Sequence, residues 1–488
     1  MKDFFRKNVF IGSAEILCRI PLVFTVGYLA RAVGPEIYGS WILVLVFQGL
    51  LTNLVGLGLS SSLSRLASVC EPEKARGYLL FALKVSGMAL LLAVPLTLLL
   101  RSWLGVILGL ASNMYWLLIP GLMLTATAAA EGLLDAYFKA REKIRRQILF
   151  ILLRTFIEVL VVCVVFVARV IPVKGNVAAL LAVYATMVLG LKVLIYPWFL
   201  KRDDRSLEKP DPGERQSFMR YGLPMIPTAL VIWFVHQGDR LILGHIVEKQ
   251  ALGIYAFGAT LASYLVYLGY AIYPLLLPRA SRLYDSGDYA AVKKLFGDSQ
   301  YVFLALCFAA LFMIILFSHE IILFTAGPGF TDAANILIIL SVAIGLEQLL
   351  GIYQYIFHLV KKPSFVLYFN LLYAVLTTLG VIVAARLGGI ELVPWAVLAV
   401  VLVSNIIRYI VAQRQIVLPV QPGLLVCLVG ATLLLWSFKF VARNMAVLSR
   451  IGIFGFMVIG SLIILNFVLN RKLATTFGQR ARTDRPRL

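Results

Sequence analysis

Charge is scarce in this chain. Only 14% of its 488 residues are Asp, Glu, Lys or Arg, 61% are hydrophobic, and mean hydropathy is +0.91. A soluble domain carries about 25% charged residues, and cores of this chain length could not absorb so much apolar surface, so a set of soluble domains is excluded. Acids are scarcer still, 24 against 45 bases. A basic excess raises the question of nucleic acid, but here the bases come as short clusters between apolar runs, a pattern that suits an anionic membrane surface. The five cysteines (Cys18, Cys70, Cys163, Cys307, Cys427) lie far apart, which excludes a disulfide framework and metal-ligand spacing. The four histidines are dispersed, and no Gly-Lys pair occurs anywhere. Neither a helical zinc site nor a phosphate-cradling loop of an ATP-driven pump can be built from them.

What is present is a succession of apolar runs, at about 9-30, 41-63, 78-100, 115-138, 147-171, 177-199, 218-245, 251-278, 299-317, 332-357, 363-385, 391-412, 422-441 and 451-469. Each is long enough to cross a bilayer as a helix. The basic start, Met1 to Lys7, resembles the opening of a signal peptide, but no small-residue cleavage site follows, so the first run is expected to remain as a spanning helix. Fourteen spans put both ends on one side. The N-terminus, the even-numbered connections and the tail hold 31 Lys and Arg, the odd-numbered connections 9, and five (Arg19, Lys84, Arg154, Lys192, Arg240) fall inside spans. Inner loops are the basic ones, so both termini are expected in the cytoplasm. The exception is the connection before the last span, with Lys439, Arg443 and Arg450 on the outer side.

The expected fold is all-α and polytopic, with about 14 transmembrane helices in two six-helix lobes plus two peripheral helices. The division places an N-terminal lobe at 1-200, a charged linker at 201-217, a C-terminal lobe at 218-415, helices 13-14 at 416-470 and a basic tail at 471-488. Two lobes of one topology suit alternating access. The outer connections are too short for a catalytic domain, so no enzyme is expected. Arg279 to Asp298 reads as a second long break.

Two groups of residues carry a family resemblance. Leu29-Ala-Arg-Ala-Val-Gly-Pro-Glu-Ile-Tyr-Gly-Ser-Trp41 with Leu54-Val-Gly-Leu-Gly-Leu-Ser-Ser-Ser-Leu-Ser-Arg65 forms the first, and Tyr221-Gly-Leu-Pro224, Asp239-Arg240-Leu-Ile-Leu-Gly244 and Leu252-Gly-Ile-Tyr255 form the second. They resemble the motifs of polysaccharide-transport proteins of the Wzx O-antigen flippase type, in the MOP superfamily. The resemblance implies a MATE-like exporter of the bacterial inner membrane that moves undecaprenyl-pyrophosphate-linked oligosaccharide, an O-antigen or exopolysaccharide repeat unit, from the cytoplasmic to the periplasmic leaflet. It also implies a polysaccharide polymerase and a chain-length regulator as partners. An ion-coupled multidrug-type exporter, a lipid II flippase and a scaffold for glycan assembly stay open as alternatives.

An ionisable side chain in mid-membrane costs enough to need a partner or a function. Arg19, one helical turn beyond Glu15, is a candidate for holding the diphosphate or, with Glu15, a packing pair. Asp239 and Arg240 point about 100° apart on their helix and must each find other partners, in a gate or on substrate. Glu131, Asp135 and Lys139 step along one face, either as coupling acids or as an acid-base ladder. Arg154 with Glu158 reads as substrate contact or packing, and Glu347 as a coupling group or half of an interhelical pair. Lys84 and Lys192 are close enough to the inner surface to snorkel, although either could meet the head group. Tyr264 and Tyr267, with Tyr270 and Tyr273, offer rings for sugar stacking or for packing. No cofactor and no metal is expected, and the coupling ion, H+ or Na+, is left open.

Overall fold

The computed structural model describes residues 2–167, 177–201, 208–269, 273–362 and 364–416, without the side chains of residues 2–16, 19, 167, 177–178, 201, 273–275, 278 and 305. The described residues form helices and no strand. In order these are α1 (Lys2–Val33), α2 (Pro35–Gly56), α3 (Leu59–Leu66), α4 (Pro72–Leu99), α5 (Arg101–Ile107), α6 (Leu118–Ala140), α7 (Ile144–Val162) and α8 (Val177–Lys201). They continue as α9 (Pro212–Gly222), α10 (Ile226–Ile246), α11 (Lys249–Ser263), α12 (Val266–Gly269), α13 (Tyr273–Asp285), α14 (Tyr289–Thr325), α15 (Ala333–Gly351), α16 (Gln354–Leu359) and α17 (Ser364–Gln413). Proline opens α2, α4 and α9, where its missing N–H costs nothing.

Ten described helices are long and apolar enough to cross a membrane. The last of them, α17, is broken at Gly388 (φ −141°) and Gly389 (φ +61°), and a Cβ on Gly380 would touch Val400 and Ala396. Its two halves therefore fold back on each other as the expected eleventh and twelfth spans, and a two-glycine turn suffices because Gly389 adopts a conformation few other residues tolerate. With α1, whose apolar stretch is Ile20–Val33, the first twelve expected spans are accounted for. Expected spans 13 and 14 and the basic tail lie outside the described residues. One expectation needs correction: Arg279 to Asp298 is no open break, since α13 runs to Asp285 and α14 starts at Tyr289. The helical pattern there was hidden by charge, because the pieces lie beyond the apolar runs.

Burial divides the molecule by depth. One continuous buried cluster joins both halves of the chain at the α1–α2 junction end, from Leu29, Tyr38 and Trp41 to Leu252, Tyr255, Phe330 and Val393. At the opposite end the buried residues separate into a cluster around Leu63, Leu79, Phe138 and Phe150, and another around Leu276, Phe296, Ile356 and Phe369. The basic connections Arg65 to Arg76 and Lys139 to Arg146 lie at the divided end, called the inner end below, and the joined end is called the outer end.

Where the halves meet, the helices touch backbone to backbone. A Cβ on Gly39 would stand 2.0 Å from the Lys249 carbonyl oxygen, and one on Gly253 1.9 Å from that of Pro35, so α2 and α11 cross through a pair of glycines. Helices in lipid gain little from hiding apolar surface from one another, and small residues that permit close approach take over that role. Deeper in the membrane, Trp233 of α10 donates its indole N–H to the Val46 carbonyl of α2 at 3.2 Å. At the inner end Phe218 of α9 is buried in the first-half cluster, stacked on Tyr78 at 5.2 Å.

Candidate functional site

Two polar clusters sit among the spanning helices. In the first, α6, α7 and α8 bring Glu131, Glu158 and Lys192 together. The Lys192 ammonium lies 2.6 Å from Glu131 and 2.8 Å from Glu158, and the Tyr196 hydroxyl, one turn further along α8, donates to Glu131 at 2.5 Å. Glu131 is nine residues from the end of α6, about 14 Å at the helical rise, well inside the span. Arg154 adds its charge to the surroundings of Tyr196, and Tyr184 of α8 lies within electrostatic range of both acids and of Tyr264 in the other half.

This geometry overturns the snorkelling expectation for Lys192, whose side chain is 3% exposed. Two carboxylates on neighbouring helices hold it inward, and a partnered buried charge is far cheaper than a bare one. The Glu131–Asp135–Lys139 ladder is likewise divided. Asp135 pairs with Lys139 at 2.6 Å and accepts from Gln147 at 3.1 Å, while Glu131 turns to Lys192.

The second cluster lies across α10, α11, α15 and α17. Asp239 accepts from the Tyr255 hydroxyl at 2.7 Å and from the Arg240 backbone N–H at 2.8 Å. Arg240 is 8% exposed, and its guanidinium donates to Gln237 at 2.5 Å and to Thr260 at 3.5 Å, while its Nε meets no partner. Among the described residues no carboxylate lies at ion-pair distance from it. Thr260 also shares a side-chain hydrogen bond with Tyr38 of α2, so Arg240 sits where the two halves meet. Deeper in the C-terminal half, Glu347 pairs with Arg408 at 3.0 Å, and Asn405 donates to Glu347 and accepts from Arg408.

The remaining candidates are scattered. The side chains of Glu15 and Arg19 lie outside the described residues, as do those of Tyr270 and Tyr273. Lys84 is exposed on α4, as a snorkelling lysine would be. Tyr264 and Tyr267 are half-buried with ring centroids 6.4 Å apart. Sequence reasoning missed Arg408, counted with an inner loop although it is buried in α17; the unpartnered Glu347 was the available signal. Among the described residues no three His, Cys, Asp or Glu side chains gather as a metal site.

The family model for polysaccharide biosynthesis proteins matches residues 5–284, more than half of the chain. The chain belongs to the polysaccharide biosynthesis protein family. A second model, MatE, matches residues 224–384 of this polysaccharide biosynthesis protein. The probable low-salt glycan biosynthesis flippase Agl15 of Haloferax volcanii is 24% identical over 149 residues, 30% of this chain and 32% of that protein, so the match spans about a third of the relative's length. Among solved structures, the lipid II flippase MurJ in an inward closed conformation superposes with a TM-score of 0.67 at 14% identity, covering 96% of this chain and 100% of that one. An inward-facing multidrug resistance MATE family transporter of the MOP superfamily gives 0.66 at 13% identity, covering 83% and 97%. The fold of this polysaccharide biosynthesis protein is that of these transporters, and it is a multi-pass membrane protein.

Proposed function

We propose that the protein is a flippase for a lipid-linked oligosaccharide, carrying an undecaprenyl-diphosphate-linked repeat unit from the cytoplasmic to the periplasmic leaflet of a bacterial inner membrane, with both termini cytoplasmic. It is read as a transporter without an enzymatic step, working by alternating access of residues 1-200 against 218-415, beside a polymerase and a chain-length regulator. The diphosphate and glycan of such a cargo cannot cross hydrocarbon, whereas its polyprenyl tail never leaves it. A path between two lobes serves both.

The observation that carries this reading is Arg240, a buried guanidinium at the lobe junction held by neutral groups only. A cation without a carboxylate partner is costly in the membrane and keeps its planar fork for phosphate oxygens, which it binds two at a time. Parting α2 from α11 frees Tyr38 from Thr260 and uncovers that guanidinium. The MatE match to residues 224–384 favours one second reading, an ion-coupled exporter of multidrug type, and a lipid II flippase would share the fold. Arg240→Ala, with expression verified, is expected to lower translocation of lipid-linked oligosaccharide at least tenfold and to leave lipid-linked glycan accumulating in cells that depend on the protein. Undiminished translocation, or a defect confined to efflux of amphiphilic cations, overturns the proposal.

A further inference from the structure

At the inner end, α2 stops at two successive left-handed residues, Leu57 (φ +48°) and Gly58 (φ +66°). A Cβ on Gly58 would lie 2.1 Å from the Gly222 carbonyl oxygen, so only glycine lets α9 approach here. Beyond this break α3 presents two faces. Ser62 points inward and donates to the Phe218 carbonyl at 2.9 Å. Ser60, Ser61, Ser64 and Arg65 are exposed and, with Tyr221, line a shallow, largely open cavity of about 470 Å³.

The hydroxyls of Ser60, Ser61 and Ser64 make no hydrogen bond, and Arg65 no ion pair, with any described residue. The Arg65 guanidinium instead stacks 4.6 Å from the centroid of the Tyr221 ring, which fixes its plane and leaves its donors unspent. No carboxylate is among the lining residues, and two acids of the segment leading into and opening α9 are held by Lys74, Glu214 at 2.5 Å and Glu208 at 3.6 Å. Three hydroxyls and one guanidinium edge, with no free carboxylate, form a receptor for an oxyanion. A neutral sugar fits less well, because Arg65 already covers one face of the only aromatic ring in the lining.

We propose that this cavity binds a phosphate-bearing group, in the first place the diphosphate of a membrane-anchored cargo as it reaches the inner mouth. Its walls belong to opposite halves, Ser60 to Arg65 on α3 and Tyr221 on α9, so an occupant interacts differently with parted and closed halves and shifts the balance between them. The identity of the occupant rests on the flippase reading, whereas the oxyanion receptor does not.

The test uses the full chain in phosphatidylcholine nanodiscs, with inorganic pyrophosphate and farnesyl diphosphate as probes. The wild type is expected to bind farnesyl diphosphate saturably. Arg65→Ala should weaken binding about tenfold or more, as for a lost charged hydrogen bond, and the triple change of Ser60, Ser61 and Ser64 to Ala should act in the same direction. Arg65 is exposed, so a thermal transition equal to that of the wild type is expected in Arg65→Ala; Arg65→Lys, which keeps the charge but loses the fork, should fall between. Competition by inorganic pyrophosphate identifies the phosphate group itself as the ligand, and Arg65-dependent displacement by phosphatidylglycerol in the nanodisc identifies a lipid headgroup; both support the receptor. Equal affinity in wild type, Arg65→Ala and the triple variant, or no saturable binding of either probe, overturns it. Arg65-dependent binding by a protein that translocates no lipid-linked glycan would leave the receptor standing and sink the flippase reading. Normal flipping with Arg65-independent binding would do the reverse.

Discussion

The two carboxylates on Lys192 allow a sharp test of how the N-terminal half is held together. At an effective dielectric of about 20, unit charges 2.6 to 2.8 Å apart attract with roughly 6 kcal/mol per pair before desolvation is counted. Most of that gain is offset by the cost of burying the ions. Removing only the cation loses the attraction and keeps the cost for the acids, a loss of about 3–5 kcal/mol. Lys192→Met, similar in length and uncharged, leaves Glu131 and Glu158 facing each other with the cation between them gone. Lys192→Met is therefore expected to lower stability by about 3–5 kcal/mol in reversible unfolding from mixed micelles. The triple variant Lys192→Met, Glu131→Gln, Glu158→Gln should recover most of the loss, because no bare charge remains. A single variant within about 1 kcal/mol of wild type, or a triple variant no better than the single, would refute the reasoning and mark the cluster as solvated, where ion pairs contribute that little.

The crossing of α2 and α11 makes a second prediction. Gly253→Leu drives a side chain into the Pro35 carbonyl, so the outer contact should fail and outer-side cysteine probes near Tyr38 should label faster, whereas Gly132→Ala, with open space around it, should be silent. In the C-terminal half, Arg408→Met should destabilise the protein by about 3 kcal/mol by stranding Glu347. Glu347→Gln should cost less, since Asn405 still faces Arg408; thermal unfolding of the two variants side by side checks the order.

The spanning helices were legible because a bilayer demands long apolar runs, and all twelve of the expected spans within the described residues have a helix in place. Helical extensions beyond the membrane were not, because Tyr289 to Asp298 and Pro212 to Phe218 carry the charges and turn residues that also make loops. Among the site residues, spacing along one helix was a poor guide. Glu131 and Asp135 share a face of α6, yet one turns to α8 and the other to Lys139. The partners that decide a buried charge come from other helices, and one sequence does not say which helices are neighbours. Asp239 and Arg240 were the instructive exception: adjacency ruled out a pair, and each indeed has separate partners. The snorkelling argument for Lys192 failed because distance to the surface is one alternative and a facing carboxylate the other.

The accessibility of these charges orders the steps of the proposed transport. In this conformation three cations of the two polar clusters are covered, with Lys192 and Arg408 3% exposed and Arg240 8%. The acids that pair with Lys192 and Arg408 are more accessible, Glu131 at 16%, Glu158 at 27% and Glu347 at 30%. A diphosphate arriving at these clusters would meet carboxylates first, and like charges at short range in a poorly solvated site repel strongly. Arg240 meets no such acid among the described residues but is 8% exposed behind the Tyr38–Thr260 contact, so it cannot make the first contact with an anionic cargo, and the halves must part before it can engage. The exposed, unpaired guanidinium of Arg65 at the inner mouth has no such barrier. On this reading Arg65 receives the head group, and Arg240 binds it only after Tyr38 has left Thr260, so the two cations act at different stages of one transport cycle.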